Sequence, residues 1–188
     1  MKAIVTGHSR GLGKFLYDDL HQNDWEVIGF SKSLGTDICK KSDREKIIAA
    51  SLEADLVILA SRAGYCDCDL LFEMHGRWLS ESHHKMIVTI GSKASVNYMT
   101  RPMDPLKYDY QKHALEKMVQ TFSLDSRIRI CHMNLDYLAT PSILSNPALQ
   151  NQAVLPLEFI ADQIRSIYHT PPGVHIAHLN IWARDCDQ

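Results

Sequence analysis

Tyr108 and Lys112 lie four positions apart in a segment with helical periodicity, so their side chains are expected on one face of a helix. An ammonium beside a phenol stabilises the phenolate, which makes tyrosine an effective general acid–base near neutral pH. A serine hydroxyl facing the pair would orient a carbonyl or alcohol and stabilise a developing oxyanion. Ser92 and Ser95 both precede the pair along the chain. These residue types predict proton transfer at a carbonyl or alcohol oxygen.

A second cluster lies near the start of the chain, where residues Thr6 to Gly13 read T-G-x-x-x-G-x-G. A short β-branched run precedes it, and a pattern of helical period follows. A strand, a glycine turn and a helix form a phosphate site, because glycine lets the backbone approach closely and the first helical amides face the anion. Five residues separate Gly7 from Gly13, and Phe15 follows Lys14, which excludes a Walker loop. The turn predicts a site for the pyrophosphate of a dinucleotide.

Apolar strand-like runs and helical patterns alternate along the whole chain. The predicted strands are residues 3–5, 25–30, 55–60, 86–90, 127–133 and 175–182, and the predicted helices are 11–22, 43–52, 70–82, 108–122 and 157–168. This order specifies a doubly wound parallel sheet with helices on both faces, a Rossmann-like α/β fold of three layers. Polar or glycine-bearing clusters follow the strands at 7–13, 31–37, 61–64, 91–95 and 134–141. Ligands bind at the carboxyl ends of such strands, so these clusters should share one rim.

The bulk composition restricts the function classes. With 188 residues, 45% of them apolar and 22% charged, the chain is expected to form a single globular domain over residues 1–188. The long irregular stretch at 140–156 is expected to be a substrate loop. A net charge of −2 argues against nucleic acid as a partner. There is neither a secretory signal nor an apolar run long enough to span a bilayer, so we expect a cytoplasmic protein without membrane contact.

The cysteines and histidines suggest no metal site. Five cysteines, odd in number and without framework spacing, favour free thiols in a reducing compartment. Cys66 and Cys68 with a nearby histidine pair do not have zinc-site spacing, so we expect free thiols in a loop and no metal. His75, His113 and His132 would titrate near neutrality if exposed, but we expect them to be structural.

Several of these motifs together resemble the short-chain dehydrogenase/reductase family. Residues Thr6 to Gly13 are similar to its cofactor signature, and Tyr108 to Lys112 matches its Y-x-x-x-K. Ser61 to Gly64 resembles a degenerate N-N-A-G, Asp37 falls where the family has an aspartate against the adenine, and Thr140-Pro141 falls at a common nicotinamide-side position. The matches follow the family's order along the whole chain. The resemblance implies a Rossmann fold and a nicotinamide-dependent oxidoreductase.

The resemblance also assigns roles to individual residues. Tyr108 becomes the acid/base, and Lys112 its partner, which also binds the cofactor ribose. Ser95, thirteen residues before Tyr108, or Ser92, directly at the strand end, becomes the oxyanion stabiliser. The implied cofactor contacts are Thr6, Gly7, Ser9, Arg10, Gly11, Leu12, Gly13, Ser31, Lys32, Asp37, Ala60, Ser61, Arg62, Lys112 and Thr140. Pairing through the helices at 70–82 and 108–122 implies a homodimer or homotetramer.

The charges after the second strand bear on the choice of cofactor. NAD usually needs a carboxylate there to bind the adenosine ribose hydroxyls, whereas this chain has Ser31 and Lys32. Arg10 in the glycine turn can approach the same point, and a guanidinium fits a 2′-phosphate. These residues predict NADP(H) as the preferred cofactor, with NAD(H) possible. The alternative is that Arg10 and Lys32 are only solvated surface charges.

The chain also departs from the family pattern. It is shorter than the resemblance implies, mainly between Gly64 and Met86 and after Pro141. The catalytic asparagine of the family's middle helix either corresponds to Glu73 or is missing. An alternative function is therefore an NAD(P)-binding regulator or scaffold with little or no turnover. A third is an epimerase or dehydratase that uses the cofactor without net redox change.

Overall fold

The computed structural model describes residues 1–80, 85–93, 103–125, 127–171 and 173–184. Within these ranges the strands are β1 (Lys2–Thr6), β2 (Glu26–Phe30), β3 (Leu56–Leu59), β4 (Met86–Ile90), β5 (Arg129–Leu135) and β6 (His178–Ile181). They form one sheet in the order β2-β1-β3-β4-β5-β6, and every neighbouring pair is parallel. The predicted doubly wound parallel sheet is confirmed.

Helices cover both faces of this sheet. They are α1 (Gly11–Gln22), α2 (Lys41–Ser51), α3 (Tyr65–Trp78), α4 (Met103–Phe122), α5 (Pro141–Leu144) and α6 (Leu157–Tyr168). Ala3 and Val5 of β1 pack in a core with α1 and α6, whereas Ile4 packs in a second core with α2, α3 and α4. Successive residues of a strand point to opposite faces, so one buried strand contributes to both cores. The three predicted layers follow from this arrangement.

The strand order reverses at β1, because the chain passes from β1 to β2 on one side and later returns to β3 on the other. Thr6, the last residue of β1, is in register with Phe30 of β2 and Leu59 of β3. The next residue, Gly7, continues the ladder by donating its N–H to the carbonyl of Phe30 at 2.7 Å. In doubly wound sheets the ligand crevice lies at this reversal, beyond the carboxyl ends of the strands.

Several helix boundaries differ from the predicted ones. Helix α4 begins at Met103 rather than at residue 108, since Pro105 lies in its first turn, where no backbone hydrogen bond is lost. Helix α3 begins at Tyr65, after Gly64 turns the chain with a φ of +66°. The stretch 140–156, predicted to be irregular, contains α5 and a 3₁₀ turn at Pro147–Leu149. No described helix combines the length and apolarity needed to cross a membrane.

The prediction of free thiols is wrong for Cys39 and Cys66, and the loop predicted around Cys66 and Cys68 is a helix. Cys66 and Cys68 lie in α3, and Cys66 forms a disulfide with Cys39, 27 positions earlier. The early start of α3 brings Cys66 beside the segment that follows β2. Cys68 and Cys131 are free, and burial raises the pKa of Cys68 to about 11 and that of Cys131 to about 12. The described residues include no group of three or more His, Cys, Asp or Glu placed to hold a metal ion.

Candidate active site

The glycine turn is packed tightly against the end of β3. A Cβ on Gly7, which has a φ of +73°, would lie 2.9 Å from Ser61 Cα and 3.0 Å from the Ala60 carbonyl oxygen. A Cβ on Gly13 would collide with the carbonyl oxygen of Gly7, so helix α1 also approaches the turn without a side chain between them. The close packing explains the need for glycine at both positions and leaves a backbone-lined cradle.

The start of α1 faces this cradle with free amides. The first helical bond runs from Lys14 N–H to the Arg10 carbonyl at 3.3 Å, and no side chain caps the preceding turn. The amides of that turn therefore have no partner in the helix, and the positive end of the helix dipole adds to their attraction for an anion. Ser9 is half-buried and Arg10 exposed beside them. The arrangement fits a phosphate group.

Thr140 lies over the same turn, although it is distant in sequence. Its Cγ2 is 3.8 Å from the position that a Cβ of Gly11 would take. Its hydroxyl is 3.2 Å from that of Ser142, in the first turn of α5. The structure thus brings the segment after β5 to the glycine turn, as the resemblance implies.

Lys32 and Asp37 follow β2, and each was expected to contact the cofactor. In the structure they form an ion pair with each other. The Lys32 ammonium lies 2.9 Å from an Asp37 carboxylate oxygen, and its side chain is 81% exposed. The hydrogen bonds from Lys32 and from the Cys39 N–H hold the pKa of Asp37 below its usual range. The Lys32 side of this ion pair is open to solvent, whereas the Asp37 side chain is 19% exposed. Ser31 is buried and its hydroxyl lies 3.4 Å from that of Ser33.

Tyr108 and Lys112 emerge together from α4, as predicted. Lys112 is 5% exposed, and its ammonium donates to the carbonyl of Ile90, the last residue of β4, at 2.8 Å. The same ammonium lies 5.9 Å from the centroid of the Tyr108 ring. The guanidinium carbon of Arg62 lies 5.1 Å from that centroid, so two cations flank one phenol.

These residues line a small cavity of about 90 Å³. Its lining is Arg62, Gly64, Asp67, Tyr108, Gln111, Lys112 and Leu115. The volume holds a few water molecules and is far below the roughly 300 Å³ at which ligand pockets begin. Arg62, expected to contact the cofactor, and Tyr108 and Lys112, expected to be catalytic, meet in this cavity.

Asp67 is the site residue that sequence reasoning missed. It is 3% exposed, accepts hydrogen bonds from the Ser61 hydroxyl and the Ala63 N–H, and lines the cavity with Lys112. Thr6 in turn donates to the Ser61 hydroxyl at 3.3 Å. Burial raises the pKa of Asp67, although Lys112 and the two hydrogen bonds oppose the shift. Carboxylates are favoured in the first turn of a helix, where they face the positive end of its dipole, so a helix start at Tyr65 would have pointed to Asp67.

Glu73, the candidate counterpart of the family's middle-helix asparagine, is paired with Arg44. Its two carboxylate oxygens accept hydrogen bonds from Arg44 Nε at 3.0 Å and Arg44 Nη2 at 2.8 Å. Arg44 also donates to the Ile38 carbonyl, so the pair joins α2 to α3. Glu73 therefore has a structural role, and Asp67 is the carboxylate that α3 places beside Tyr108 and Lys112.

Of the two serines, only Ser92 lies within the described residues. Its backbone N–H donates to Asn134 Oδ1 at 3.2 Å. The Asn134 amide donates in turn to Glu116 and to Asn180, both at 3.1 Å, which fixes its orientation. Ser92 is thus held at the rim beyond β4. Ser95 lies outside the described residues, and the choice between the two serines stays open.

His75, His113 and His132, which were expected to be structural, do not line the cavity. His132 is fully buried between Thr89 and Asn134, and burial lowers its pKa to about 3. His75 stacks on Phe122 with ring centroids 4.0 Å apart, and burial lowers its pKa as well. His113 Nδ1 lies 4.0 Å from a Glu116 carboxylate oxygen.

Comparison with known proteins shows likeness at the level of structure. No protein-family model matches the chain, and no curated protein matches it in sequence. The 3-alpha-hydroxysteroid dehydrogenase from Pseudomonas sp. B-0831 complexed with NADH superposes with a TM-score of 0.78 at 16% identity, over 97% of this chain and 95% of that one. A 4-hydroxyisoleucine dehydrogenase mutant complexed with NADH and succinate gives 0.81 at 15% identity, over 97% of each chain.

A small-chain dehydrogenase in complex with NADPH is similar as well, with a TM-score of 0.78 at 13% identity over 96% of each chain. Proteins described as short-chain dehydrogenases/reductases give TM-scores of 0.75 and 0.74. At such low identities the likeness establishes the fold. The chain has the fold of the short-chain dehydrogenases/reductases over nearly its whole length, as its motifs predicted.

Proposed function

We propose that this protein is an NADP(H)-dependent oxidoreductase that interconverts a carbonyl and an alcohol on a small substrate. The observation that carries the proposal is the meeting of Tyr108 and Lys112 in one cavity, on the same rim as an uncapped glycine turn. The fold supports it, because structures of the same fold were solved with NADH or NADPH and are described as dehydrogenases.

The residues present fit a dinucleotide. The amides at the start of α1 and the Cβ-free backbone of Gly7 and Gly13 would hold the pyrophosphate, and Thr140 would cover it. Lys112 would bind the ribose next to the nicotinamide. When bound, the nicotinamide supplies the hydride donor or acceptor.

The chain's own residues would handle the proton. In the oxidative direction Tyr108, as the phenolate, would take the proton from the alcohol oxygen, and in the reductive direction Tyr108, as the phenol, would give a proton to the carbonyl oxygen. The bond from Lys112 to the Ile90 carbonyl holds the ammonium beside Tyr108, and its remaining N–H groups are free to point into the cavity. Ser92 or Ser95 would orient the substrate oxygen.

The preference for NADP(H) rests on Arg10 and Lys32. A 2′-phosphate carries more negative charge than the Asp37 carboxylate and would compete with it for Lys32, whose side chain is 81% exposed. Arg10 at the start of α1 would bind the same phosphate with a guanidinium fork.

Titration of the purified protein with NADPH and with NADH, followed by nicotinamide fluorescence, tests the proposal. We expect micromolar binding of NADPH and at least about tenfold weaker binding of NADH, which corresponds to about 1.4 kcal/mol. A screen of small ketones and alcohols then follows. Absence of binding by both nucleotides would overturn the proposal.

A dinucleotide-binding protein with little or no turnover is the second possibility, which the small size of the cavity favours. Tyr108→Phe separates the two functions. In an enzyme the substitution should abolish turnover and leave NADPH affinity unchanged, because the phenol acts on the substrate. In a binding protein the variant should keep its full biological effect.

Homo-oligomerisation through α3 and α4 also belongs to the proposal. Phe72 of α3 and Tyr110 of α4 are 62% and 52% exposed. Large exposed aromatics on two neighbouring helices are typical of a surface that another subunit covers.

A further inference from the structure

The Cys39–Cys66 disulfide joins the two segments that follow β2 and β3. Cys39 lies between β2 and α2, and Cys66 is the second residue of α3, which follows β3. Since β2 and β3 lie on either side of β1 in the sheet, the bond links the segments that follow both neighbours of β1. The glycine turn follows β1 itself. We call this disulfide the strap, because it ties together the two segments that flank the adenosine side of the proposed site.

Both cysteines are close to residues that we assign to the dinucleotide. The Cys39 N–H donates to an Asp37 carboxylate oxygen at 3.1 Å, and Cys39 Sγ lies 3.9 Å from the Ala63 carbonyl oxygen. Cys66 N–H donates to the same carbonyl at 3.3 Å. The strap thus connects Asp37 with the turn that carries Arg62. Asp37 lies two positions before Cys39, and Arg62 lies four positions before Cys66, so both residues are close to the sulfurs along the chain.

Besides the disulfide, hydrogen bonds anchor part of the segment between β2 and α2. Arg44 of α2 bonds Glu73 of α3 and the carbonyl of the buried Ile38, and the Asp37 N–H donates to Asp43 at 3.0 Å. The residues from Lys32 to Gly35 are exposed, and so are Cys39 and Lys40. Without the disulfide, Asp37 and Ile38 would keep their bonds to α2, whereas the exposed residues around Cys39 would lose their link to the segment after β3. A ligand would then have to order the segment on binding, which lowers its affinity.

The pair is also accessible to reagents, because Cys39 is exposed and Cys66 only half-buried. The free cysteines differ in this respect, since Cys68 and Cys131 are buried. The exposure of Cys39 makes its sulfur the point of attack for a thiolate.

We propose that Cys39 and Cys66 form a thiol–disulfide switch that controls dinucleotide binding, tight when the bond is formed and weak when it is broken; this rests on the proposed function. A dithiol reductant attacks Cys39 Sγ, forms a mixed disulfide and releases the Cys66 thiolate, which takes up a proton. The second thiol of the reagent then closes its own disulfide and releases Cys39 as a thiol. A low-molecular-weight disulfide such as oxidised glutathione reverses the two exchanges and yields two thiols of its own.

The test compares NADPH affinity of the full chain after dithiothreitol and after oxidised glutathione. Alkylation and peptide mapping in each state establish whether Cys39 and Cys66 are joined, independently of any nucleotide. We expect reduction to weaken NADPH binding at least about 5-fold, the lower end of typical coupling between sites, and re-oxidation to restore it. The double variant Cys39→Ser, Cys66→Ser should bind weakly in both conditions, and Cys68→Ala is the matched control that should keep the switch.

Each other outcome contradicts the switch in a recognisable way. Equal affinity in the two redox states of a mapped disulfide would overturn the switch and leave the oxidoreductase proposal intact. Loss of the cooperative melting transition on reduction would show a structural bond instead, and this measurement needs only the wild-type chain. Absence of NADPH and NADH binding in the oxidised state would remove the proposed function together with the switch.

Discussion

Replacement of His132 by glutamine should change how stability depends on pH. The ring is fully buried, and burial, together with the electrostatic influence of the neighbouring His178 and Lys112, lowers its pKa from 6.5 to about 3. Asn134 donates through its amide to Glu116 and Asn180, so its oxygen accepts from His132 Nε2 at 3.0 Å. The neutral ring then accepts from the Thr89 hydroxyl at its Nδ1, 2.7 Å away.

The sign and size of the effect follow from linkage. Between pH 6.5 and about 3 the unfolded chain holds a proton on His132 that the folded chain does not hold, so stability falls as the pH falls through this range. At 1.36 kcal/mol per pKa unit, this one site removes about 2 kcal/mol of unfolding free energy between pH 7.5 and pH 5. That is a large share of the roughly 5–15 kcal/mol typical of a domain.

Urea unfolding at pH 7.5, 6.5, 5.5 and 5.0 measures the effect by linear extrapolation. His132→Gln should be less stable than wild type at pH 7.5, because it loses well-placed hydrogen bonds, but the difference should shrink by about 2 kcal/mol at pH 5. His21→Gln, at an exposed histidine of α1, is the control and should follow the wild-type curve. Parallel curves for His132→Gln and wild type would refute the reasoning.

Three further predictions concern the site and its surface. Burial raises the pKa of Asp67, so the folded chain loses stability as the pH rises from the ordinary value of 3.8 toward the raised one. In calorimetry, Asp67→Asn should therefore melt at a higher temperature than wild type at pH 8 and show no gain at pH 4. The double variant Arg10→Ala, Lys32→Ala should weaken NADPH binding about 10-fold or more and leave NADH binding within about 2-fold in the same fluorescence titration, and equal losses for both would contradict the 2′-phosphate assignment. Phe72→Glu should lower the oligomeric state in sedimentation without reducing the melting temperature, since this side chain is 62% exposed in the single chain.

Local sequence patterns predicted the framework well. Apolar runs such as residues 55–60 and 86–90 predicted β3 and β4 to within one residue. A strand that is buried on both faces is a nearly continuous apolar run, so its ends are visible in the sequence. The helix at 157–168 was predicted at its observed bounds, and its apolar face is strongly periodic. The glycine turn was also readable, since its glycines are required by backbone approach that no other residue allows.

The meeting of Tyr108 and Lys112 in one cavity was predicted in part from the sequence and was decided in part by the tertiary structure. Their spacing predicted a shared helix face. Their partners Arg62 and Asp67 come from the segment after β3, and only the packing of α3 against α4 brings them there. The sequence therefore determined the pair, and the fold determined what the pair faces.

The remaining pairings were decided by tertiary structure alone. Cys39 with Cys66 and Arg44 with Glu73 both involve residues whose types permit many partners. Which partners meet depends on where α3 begins, and Gly64 sets that start by a left-handed turn that the hydrophobic pattern did not reveal. Periodicity reports which face of an element is buried, whereas contacts between distant segments depend on the rotation and offset of whole elements. For that reason the chain alone determined the sheet, the glycine turn and the Tyr–Lys helix, and the structure decided the buried carboxylate and the disulfide strap.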